Sequence, residues 1–101
     1  MSQKTVLITG CSEGGIGDAL AKSFHKKGIR VIATARDLKK VEHLRVLGIE
    51  DIIPLDVVDE DSIKSALESV TKLTNGKLDF LVNNSGAGIV LMSLSLMSTI
   101  T

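Results

Sequence analysis

The chain has 101 residues, which is enough for one small domain. Its 44% of apolar and 24% of charged residues favour a folded core over a disordered chain. The formal net charge is zero, which excludes nucleic acid and anionic lipid as partners held mainly by charge. The single cysteine, Cys11, excludes an internal disulfide, and because no apolar leader precedes the first strand we expect a reducing, cytoplasmic compartment.

Residues 5–17 predict a strand, a glycine loop and the start of a helix. Residues 5–9 are β-branched and apolar and break off at Gly10. Gly14, Gly15 and Gly17 follow, and a helical pattern begins there. This arrangement suits a phosphate, because glycine lets the backbone approach the oxygens while the N–H groups and dipole of the helix start face the anion. Taken alone, the glycine cluster is equally compatible with a simple turn.

Four predicted strands alternate with three predicted helices. The strands cover residues 5–9, 30–35, 52–56 and 78–82. Apolar positions recur at helical spacing between them: Ile16, Ala19, Leu20, Ser23 and Phe24 in helix one, Leu38, Val41, Leu44 and Leu47 in helix two, and Ile63, Leu67, Val70 and Leu73 in helix three. Asp18 falls on the polar side of helix one, and Asp37 and Asp59 are predicted helix caps. Pro54 indicates that the third strand is an edge or is kinked.

The alternation predicts an α/β fold, a Rossmann-type parallel sheet with helices on both faces. Right-handed crossovers give the strand order 3-2-1-4, and a ligand is expected beyond the carboxyl ends of the strands, where the order reverses. Four candidate segments follow the four strands in turn. They are the glycine loop at Gly10, then Arg36, Asp56 and Asn83. Their predicted meeting at one edge makes a binding site more plausible than four separate turns.

These residues resemble the short-chain dehydrogenase/reductase family. Its Thr-Gly-x-x-x-Gly-x-Gly loop is matched by Thr9-Gly10 and Gly15-Ile16-Gly17, although four residues separate Gly10 from Gly15 where the family has three. The segment Asn83-Asn84-Ser85-Gly86 is similar to the family's Asn-Asn-Ala-Gly. Within the family, the sequence most resembles the fungal acyl-dihydroxyacetone-phosphate reductases and the related steroid- and retinol-type reductases.

The resemblance implies a nicotinamide dinucleotide as cofactor. The residues expected to bind it are Gly10, Ser12, Gly15, Ile16, Gly17, Arg36, Asp56 and Asn83. Folds that select NAD place a carboxylate at the end of the second strand, where it would repel a 2′-phosphate. Here Ala35 holds that position and Arg36 follows, and a guanidinium can bind a phosphate through two parallel hydrogen bonds. We therefore predict NADP(H).

Each of these side chains also has a purely structural interpretation. Arg36 could be a solvated residue that pairs with Asp37, and Asp56 could cap a turn. Asn83 and Asn84 could tie neighbouring loops together, and the role of Ser12 could be limited to closing its loop.

Cys11 is expected to be either packed in the interior or solvent-facing in the loop, and it is not expected to be a nucleophile. His25 and His43 are expected to be surface residues on helices, and no metal site is predicted.

The family's chemistry uses a serine and a Tyr-x-x-x-Lys pair, but the chain contains no tyrosine. No catalytic residue can therefore be carried over, and activity of the chain alone is doubtful. We expect an NADP(H)-binding half-domain over residues 1–88 and a divergent, uncharged tail over residues 89–101, as in a truncated product. The fourth strand would then be an open edge. The tail is too short to span a bilayer, which needs about 20 apolar residues.

Three functions remain open at this stage. The first is a part of an NADP(H)-dependent oxidoreductase that moves hydride between the cofactor and a carbonyl or alcohol, such as an acyl-dihydroxyacetone phosphate, a steroid or a retinoid. The second is a non-catalytic nucleotide-binding product, which could associate with itself or with full-length subunits through the open sheet edge. The third is a fragment held by its apolar tail on a membrane or droplet. By resemblance, the surface of the endoplasmic reticulum and lipid droplets are alternatives to the cytosol.

Overall fold

The computed structural model describes residues 3–11, 14–56, 58–76, 78–82 and 84, and the backbone of 98–100. Strands and helices alternate along the chain. The strands are β1 (Thr5–Ile8), β2 (Arg30–Ala35), β3 (Asp51–Pro54), β4 (Phe80–Val82) and β5 (Ser98–Ile100). The helices are α1 (Ile16–Lys26), α2 (Glu42–Val46), which a 3-10 turn over Leu38–Val41 precedes, and α3 (Glu60–Thr74). None of these described helices has the length and apolar character needed to cross a bilayer.

All the strand pairs are parallel, and the sheet has the order β3-β2-β1-β4-β5. The predicted fold and the order 3-2-1-4 are confirmed. β3 is at the edge, where Pro54 lies opposite Ala35 in the register. Proline is tolerated there because an edge strand has one side that makes no ladder bonds.

The structure adds one short strand, β5, to the four strands that the sequence predicts. β5 pairs with β4, with Leu81 opposite Thr99 and Val82 opposite Ile100. β4 is therefore not the open edge through which association was predicted. The three-residue strand was missed because its stretch of Ser, Thr and Ile shows neither an alternating pattern nor a flanking turn signal. The division into residues 1–88 and 89–101 stays a prediction.

The core lies on both faces of the sheet, because successive strand residues point to opposite sides. Val6, Ile8, Val31 and Ala33 pack with Ala21 of α1 and Leu44 of α2. Leu7, Ile32, Ile53 and Leu81 pack with Ala66 and Val70 of α3 on the other face. The apolar stripe predicted for the third helix is confirmed, since Ile63, Leu67 and Leu73 pack against the same cluster as Val70.

The first two helices bury only part of the apolar stripes predicted for them. In α1 the fully buried residues are Gly17, Asp18 and Ala21. The predicted Leu20 and Phe24 are partly buried against the same core, whereas Ile16 is 70% exposed. The helix is turned so that Gly17, which has no side chain, faces the end of β1. In the second helical segment only Val41 and Leu44 are buried. Leu38 and Leu47, which lie at the two ends of the segment, are 37% and 50% exposed.

Candidate functional site

The glycine loop leaves the carboxyl end of β1, at the centre of the sheet. Gly10 and Gly14 have φ angles of 69° and 85°, a conformation that residues with a side chain rarely adopt. Gly15 is the N-cap of α1 and provides no side-chain hydrogen bond to the first helical N–H groups. The start of α1 therefore keeps its backbone donors and its positive dipole end directed at the loop, which suits an anion.

Gly17 allows α1 to pack closely against the loop. A Cβ atom at this position would collide with the carbonyl oxygen of Gly10 and would lie 2.9 Å from the Nδ2 of Asn84. The restriction is one of space, because the φ of Gly17 is not in the positive range. The glycine therefore brings the helix start to the end of β1, as the predicted loop requires.

Asn84 joins the end of β4 to the end of β1. Its side-chain Nδ2 donates to the carbonyl oxygen of Gly10 at 3.0 Å, and its backbone N–H donates to Thr9 Oγ1 at 2.9 Å. The interpretation of this asparagine as a tie between neighbouring loops is confirmed. Asn83 and Ser12, both predicted to contact the cofactor, lie outside the described residues.

Asp18 is the functional candidate that the sequence analysis missed. Its carboxylate is buried and accepts hydrogen bonds from the Gly14 N–H at 3.1 Å and from Lys22 Nζ at 3.2 Å, and its Oδ1 lies 2.6 Å from His43 Nε2. Burial alone would raise the pKa of Asp18, but the hydrogen bonds from His43, Gly14 and Lys22 hold this pKa below its usual value. The group is therefore an anion beside the glycine loop.

Both histidines make contacts and are half-buried, which differs from the expected free surface positions. His43 is the partner of Asp18, and His25 Nε2 lies 2.9 Å from the carbonyl oxygen of Leu47. The local signal for Asp18 was its spacing of four residues from Lys22. Its contact with His43 spans 25 residues and could not be obtained from helical periodicity.

Cys11 is packed in the core, which is one of the two positions predicted for it. Its N–H donates to the Thr34 carbonyl at 2.9 Å, and its Sγ lies 3.3 Å from the Ile8 carbonyl oxygen. Burial, together with the nearby charge of Asp18, raises the pKa of the thiol to about 11. The protonated thiol is a poor nucleophile, so Cys11 stabilises the loop and is unsuited to covalent catalysis.

Arg36 and Asp56 follow β2 and β3 at the same edge of the sheet. Arg36 is exposed and forms no ion pair with another described residue. Asp37 Oδ1 instead accepts from the Lys39 N–H at 3.0 Å, so the alternative of an Arg36–Asp37 pair is not seen. Asp56 Oδ1 accepts from the Val58 N–H at 3.2 Å, which makes it a turn residue with its second carboxylate oxygen still available.

The predicted positions that are described therefore lie at one edge of the sheet. The glycine loop and Asn84 meet at the β1–β4 pair, and Arg36 and Asp56 follow the next two strands outward. A groove of about 540 Å³ lies elsewhere, along the second half of α1, and is lined by Ala19, Lys22, Ser23, His25, Lys26 and Leu47. Within the described ranges, no group of three or more His, Cys, Asp or Glu residues is placed to hold a metal ion.

Comparisons with known proteins point to one family. Residues 4–99 match the family model described as short chain dehydrogenase, so the match extends beyond residue 88. The short-chain dehydrogenase ptmH of Penicillium ochrochloron is 54% identical over 91 residues, which are 90% of this chain and 34% of that protein. The NADPH-dependent 1-acyldihydroxyacetone phosphate reductase of Schizosaccharomyces pombe is 51% identical over 86 residues, 85% of this chain and 29% of that protein. The chain thus spans about a third of the length of these relatives.

A solved structure shows the same fold with a nucleotide. The short chain dehydrogenase/reductase family oxidoreductase of Brucella ovis, in complex with a partially ordered NAD, is 35% identical and superposes with a TM-score of 0.69. The match covers 84% of this chain and 39% of that one. The central sheet and its helices are therefore shared with a protein whose structure contains a dinucleotide.

Proposed function

Since the chain belongs to the short-chain dehydrogenase family, we propose that it is the NADP(H)-binding, N-terminal part of an oxidoreductase. The observation that carries the proposal is the joint geometry of the glycine loop, the uncapped start of α1 and Asn84. Gly17 provides the space, Gly10 and Gly14 provide the backbone conformation, and Asn84 fixes the loop to β4. These features fit the pyrophosphate of a dinucleotide, which needs backbone donors and no intervening side chain.

Arg36 supports NADP(H) over NAD(H). It is the exposed residue directly after β2, and the end of that strand carries Ala35 and no carboxylate. No described residue forms an ion pair with Arg36. A guanidinium at that position can form two parallel hydrogen bonds to the 2′-phosphate that distinguishes the two cofactors. The relative from Schizosaccharomyces pombe is named as NADPH-dependent, whereas the Brucella ovis structure contains NAD, so family membership alone does not decide the cofactor.

The bound cofactor would supply or accept hydride at a carbonyl or alcohol carbon. The chain's own residues would bind its phosphates through the glycine loop and Arg36, and Asp56 would face the adenine side. Because the 101 residues contain no tyrosine, we assign them cofactor binding and not the proton transfer to the substrate oxygen. Ser12 and Asn83 remain predicted cofactor contacts.

The substrate class proposed for the whole enzyme is a lipid-like carbonyl or alcohol. The similarity to the Schizosaccharomyces pombe reductase favours an acyl-dihydroxyacetone phosphate over a steroid or a retinoid. We propose a cytoplasmic location, with the surface of the endoplasmic reticulum or of lipid droplets as alternatives. A non-catalytic nucleotide-binding product is the second candidate function, and the absence of tyrosine favours it.

Titration of the purified chain with NADPH and with NADH, followed by nucleotide fluorescence, tests the proposal. We expect saturable binding that is tighter for NADPH. Binding of neither nucleotide would overturn cofactor binding by this chain, and equal affinity for both would overturn the assignment to NADP(H). NADPH oxidation with a carbonyl substrate separates the two candidate functions, because any turnover above background would show that the chain is itself catalytic.

A further inference from the structure

A buried carboxylate stands directly behind the glycine loop. Asp18 lies in the first turn of α1, and only 6% of its side chain is exposed. Its partners come from three different segments: the Gly14 N–H from the loop, Lys22 from its own helix, and His43 from α2. A buried charge is tolerated only when it is paired and hydrogen-bonded. Asp18 meets both conditions, because Lys22 and His43 pair with it and the Gly14 N–H donates to it.

The contact with Gly14 bears on the shape of the loop. Gly14 has a positive φ of 85° and directly precedes Gly15, the N-cap of α1. The Asp18 carboxylate accepts from the Gly14 N–H and so fixes its direction. A loop of glycines has large conformational freedom, so such a fixed point reduces the entropy that is lost when the loop closes on a phosphate.

His43 fixes the carboxylate in turn. Its Nε2 lies 2.6 Å from Asp18 Oδ1, while Gly14 and Lys22 both contact Oδ2. The two oxygens therefore contact different parts of the fold: Oδ1 contacts α2, and Oδ2 contacts the glycine loop and Lys22. Rotation of the carboxylate about its Cβ–Cγ bond would break the contacts at both oxygens.

We propose that Asp18, oriented by His43, is a positioning residue that holds the glycine loop in the conformation that receives the pyrophosphate of the cofactor. The proposal rests on the proposed function. In this role the carboxylate acts through the backbone of Gly14, to which it is hydrogen-bonded, and not through a contact of its own with the nucleotide. The two cofactors share the pyrophosphate, so the effect belongs to NADPH and NADH alike.

The test compares nucleotide affinity in four variants of the full chain. Asp18→Asn and His43→Leu should each weaken the binding of NADPH and of NADH about tenfold, the effect of losing one charge-assisted hydrogen bond. His43→Gln keeps an N–H donor near the same place and should stay within about twofold of the wild type. Glu68→Gln removes a carboxylate from the exposed surface of α3 and should bind like the wild type.

Amide hydrogen exchange, followed by NMR without nucleotide, distinguishes a local change at Gly14 from a general loss of stability. We expect faster exchange at Gly14 in Asp18→Asn and His43→Leu than in His43→Gln, with the exchange of amides in β1 and β2 unchanged. If Asp18→Asn fails to fold, the His43 pair decides, because the His43 side chain is 22% exposed and tolerates substitution better.

The outcomes separate this inference from the proposed function. If the wild-type chain binds neither nucleotide, the proposed function is overturned, and the positioning role falls with it. If the wild type binds but folded Asp18→Asn and His43→Leu retain its affinity for both nucleotides, only the positioning role is overturned. A loss confined to NADPH would also contradict it, since that pattern belongs to the 2′-phosphate and not to the loop.

Discussion

Arg36 is the single residue on which the proposed cofactor choice depends. It follows β2 and is exposed without an ion-pair partner among the described residues. We expect Arg36→Ala to weaken NADPH binding about ten- to a hundred-fold, because a charge-assisted hydrogen bond contributes roughly 1.5–3 kcal/mol, and to leave NADH affinity unchanged. Fluorescence titration with both nucleotides measures the ratio.

A matched control for that experiment is Arg45→Ala. Arg45 is half exposed on α2 and lies 3.9 Å from Glu42, so its removal deletes the same charge outside the predicted site. It should leave both affinities within about twofold, since a surface ion pair contributes at most about 1 kcal/mol to stability and nothing to the site. An unchanged NADPH-to-NADH ratio in Arg36→Ala would refute the role of Arg36.

Gly17 and Gly14 restrict substitution for different physical reasons. An added Cβ at Gly17 meets the Gly10 carbonyl and Asn84, whereas at Gly14 it meets nothing within 4 Å but must adopt a φ of 85°. We expect Gly14→Ala to cost about 1–2 kcal/mol of stability through backbone strain. Gly17→Ala should cost more, because α1 must move away from β1, and it should abolish nucleotide binding.

Urea unfolding and NADPH titration of both variants measure the difference between the two glycines. Ala21→Gly in the middle of α1 is the control for a change of stability without a change of the loop, at a cost of about 1 kcal/mol in helix propensity plus a small loss of packing. If Gly17→Ala bound NADPH as tightly as the wild type, the close approach of α1 to Gly10 would not be needed for binding.

At the scale of the element, α3 begins at a strong side-chain cap. Asp59 Oδ1 accepts from the Asp61 N–H at 3.0 Å and from the Ser62 N–H at 3.4 Å. The helix ends at Thr74 and is followed by its C-cap, Asn75, in a left-handed conformation with φ 55°. We expect Asp59→Ala to lower the free energy of unfolding by about 0.5–2 kcal/mol, measured by urea unfolding. Asp61→Asn, one residue inside the helix, should cost less, since it loses only the interaction with the dipole. Equal costs would show that the cap contributes nothing.

The elements differ in how far the sequence determines them. α3 was predicted with its cap and its buried stripe because 15 residues carry a sustained pattern. The α2 segment was predicted only in part, because it is short and only its central apolar residues, Val41 and Leu44, reach the core, while Leu38 and Leu47 at its ends are exposed. In α1, the buried Asp18 contradicted the helical pattern, since a polar residue is placed outward unless its distant partner is known.

At the scale of the whole molecule, the order of the four predicted strands could be obtained from the sequence, whereas the short fifth strand could not. Alternating strands and helices with right-handed crossovers leave few arrangements, so 3-2-1-4 and the meeting of the strand ends followed from the sequence. The contribution of Asn84 to the site was foreseen only as one structural alternative, because hydrogen bonds across 74 residues leave no local trace. β5 was missed because a strand of three residues has too little sequence to show a period.

The last prediction concerns what β5 does for the sheet. Its parallel pairing from Phe80–Ser98 to Val82–Ile100 covers the backbone donors and acceptors on one side of β4. Ending the chain at residue 97 would expose this edge, and an unpaired edge next to the apolar residues of β4 is a template for association with another chain. We expect the shortened chain to have a lower free energy of unfolding and to form dimers or larger species in sedimentation velocity.

A chain that lacks only Thr101 is the control, since it keeps all of β5 and should sediment like the wild type. Charge does not oppose the expected association, because the net charge is zero in the complete chain and the removed residues 98–101 carry none. A monomeric shortened chain with unchanged stability would show that β5 adds nothing to the sheet. In that case the fold and the proposed cofactor site depend on β1 to β4, whose strand ends present the glycine loop, Arg36 and Asp56.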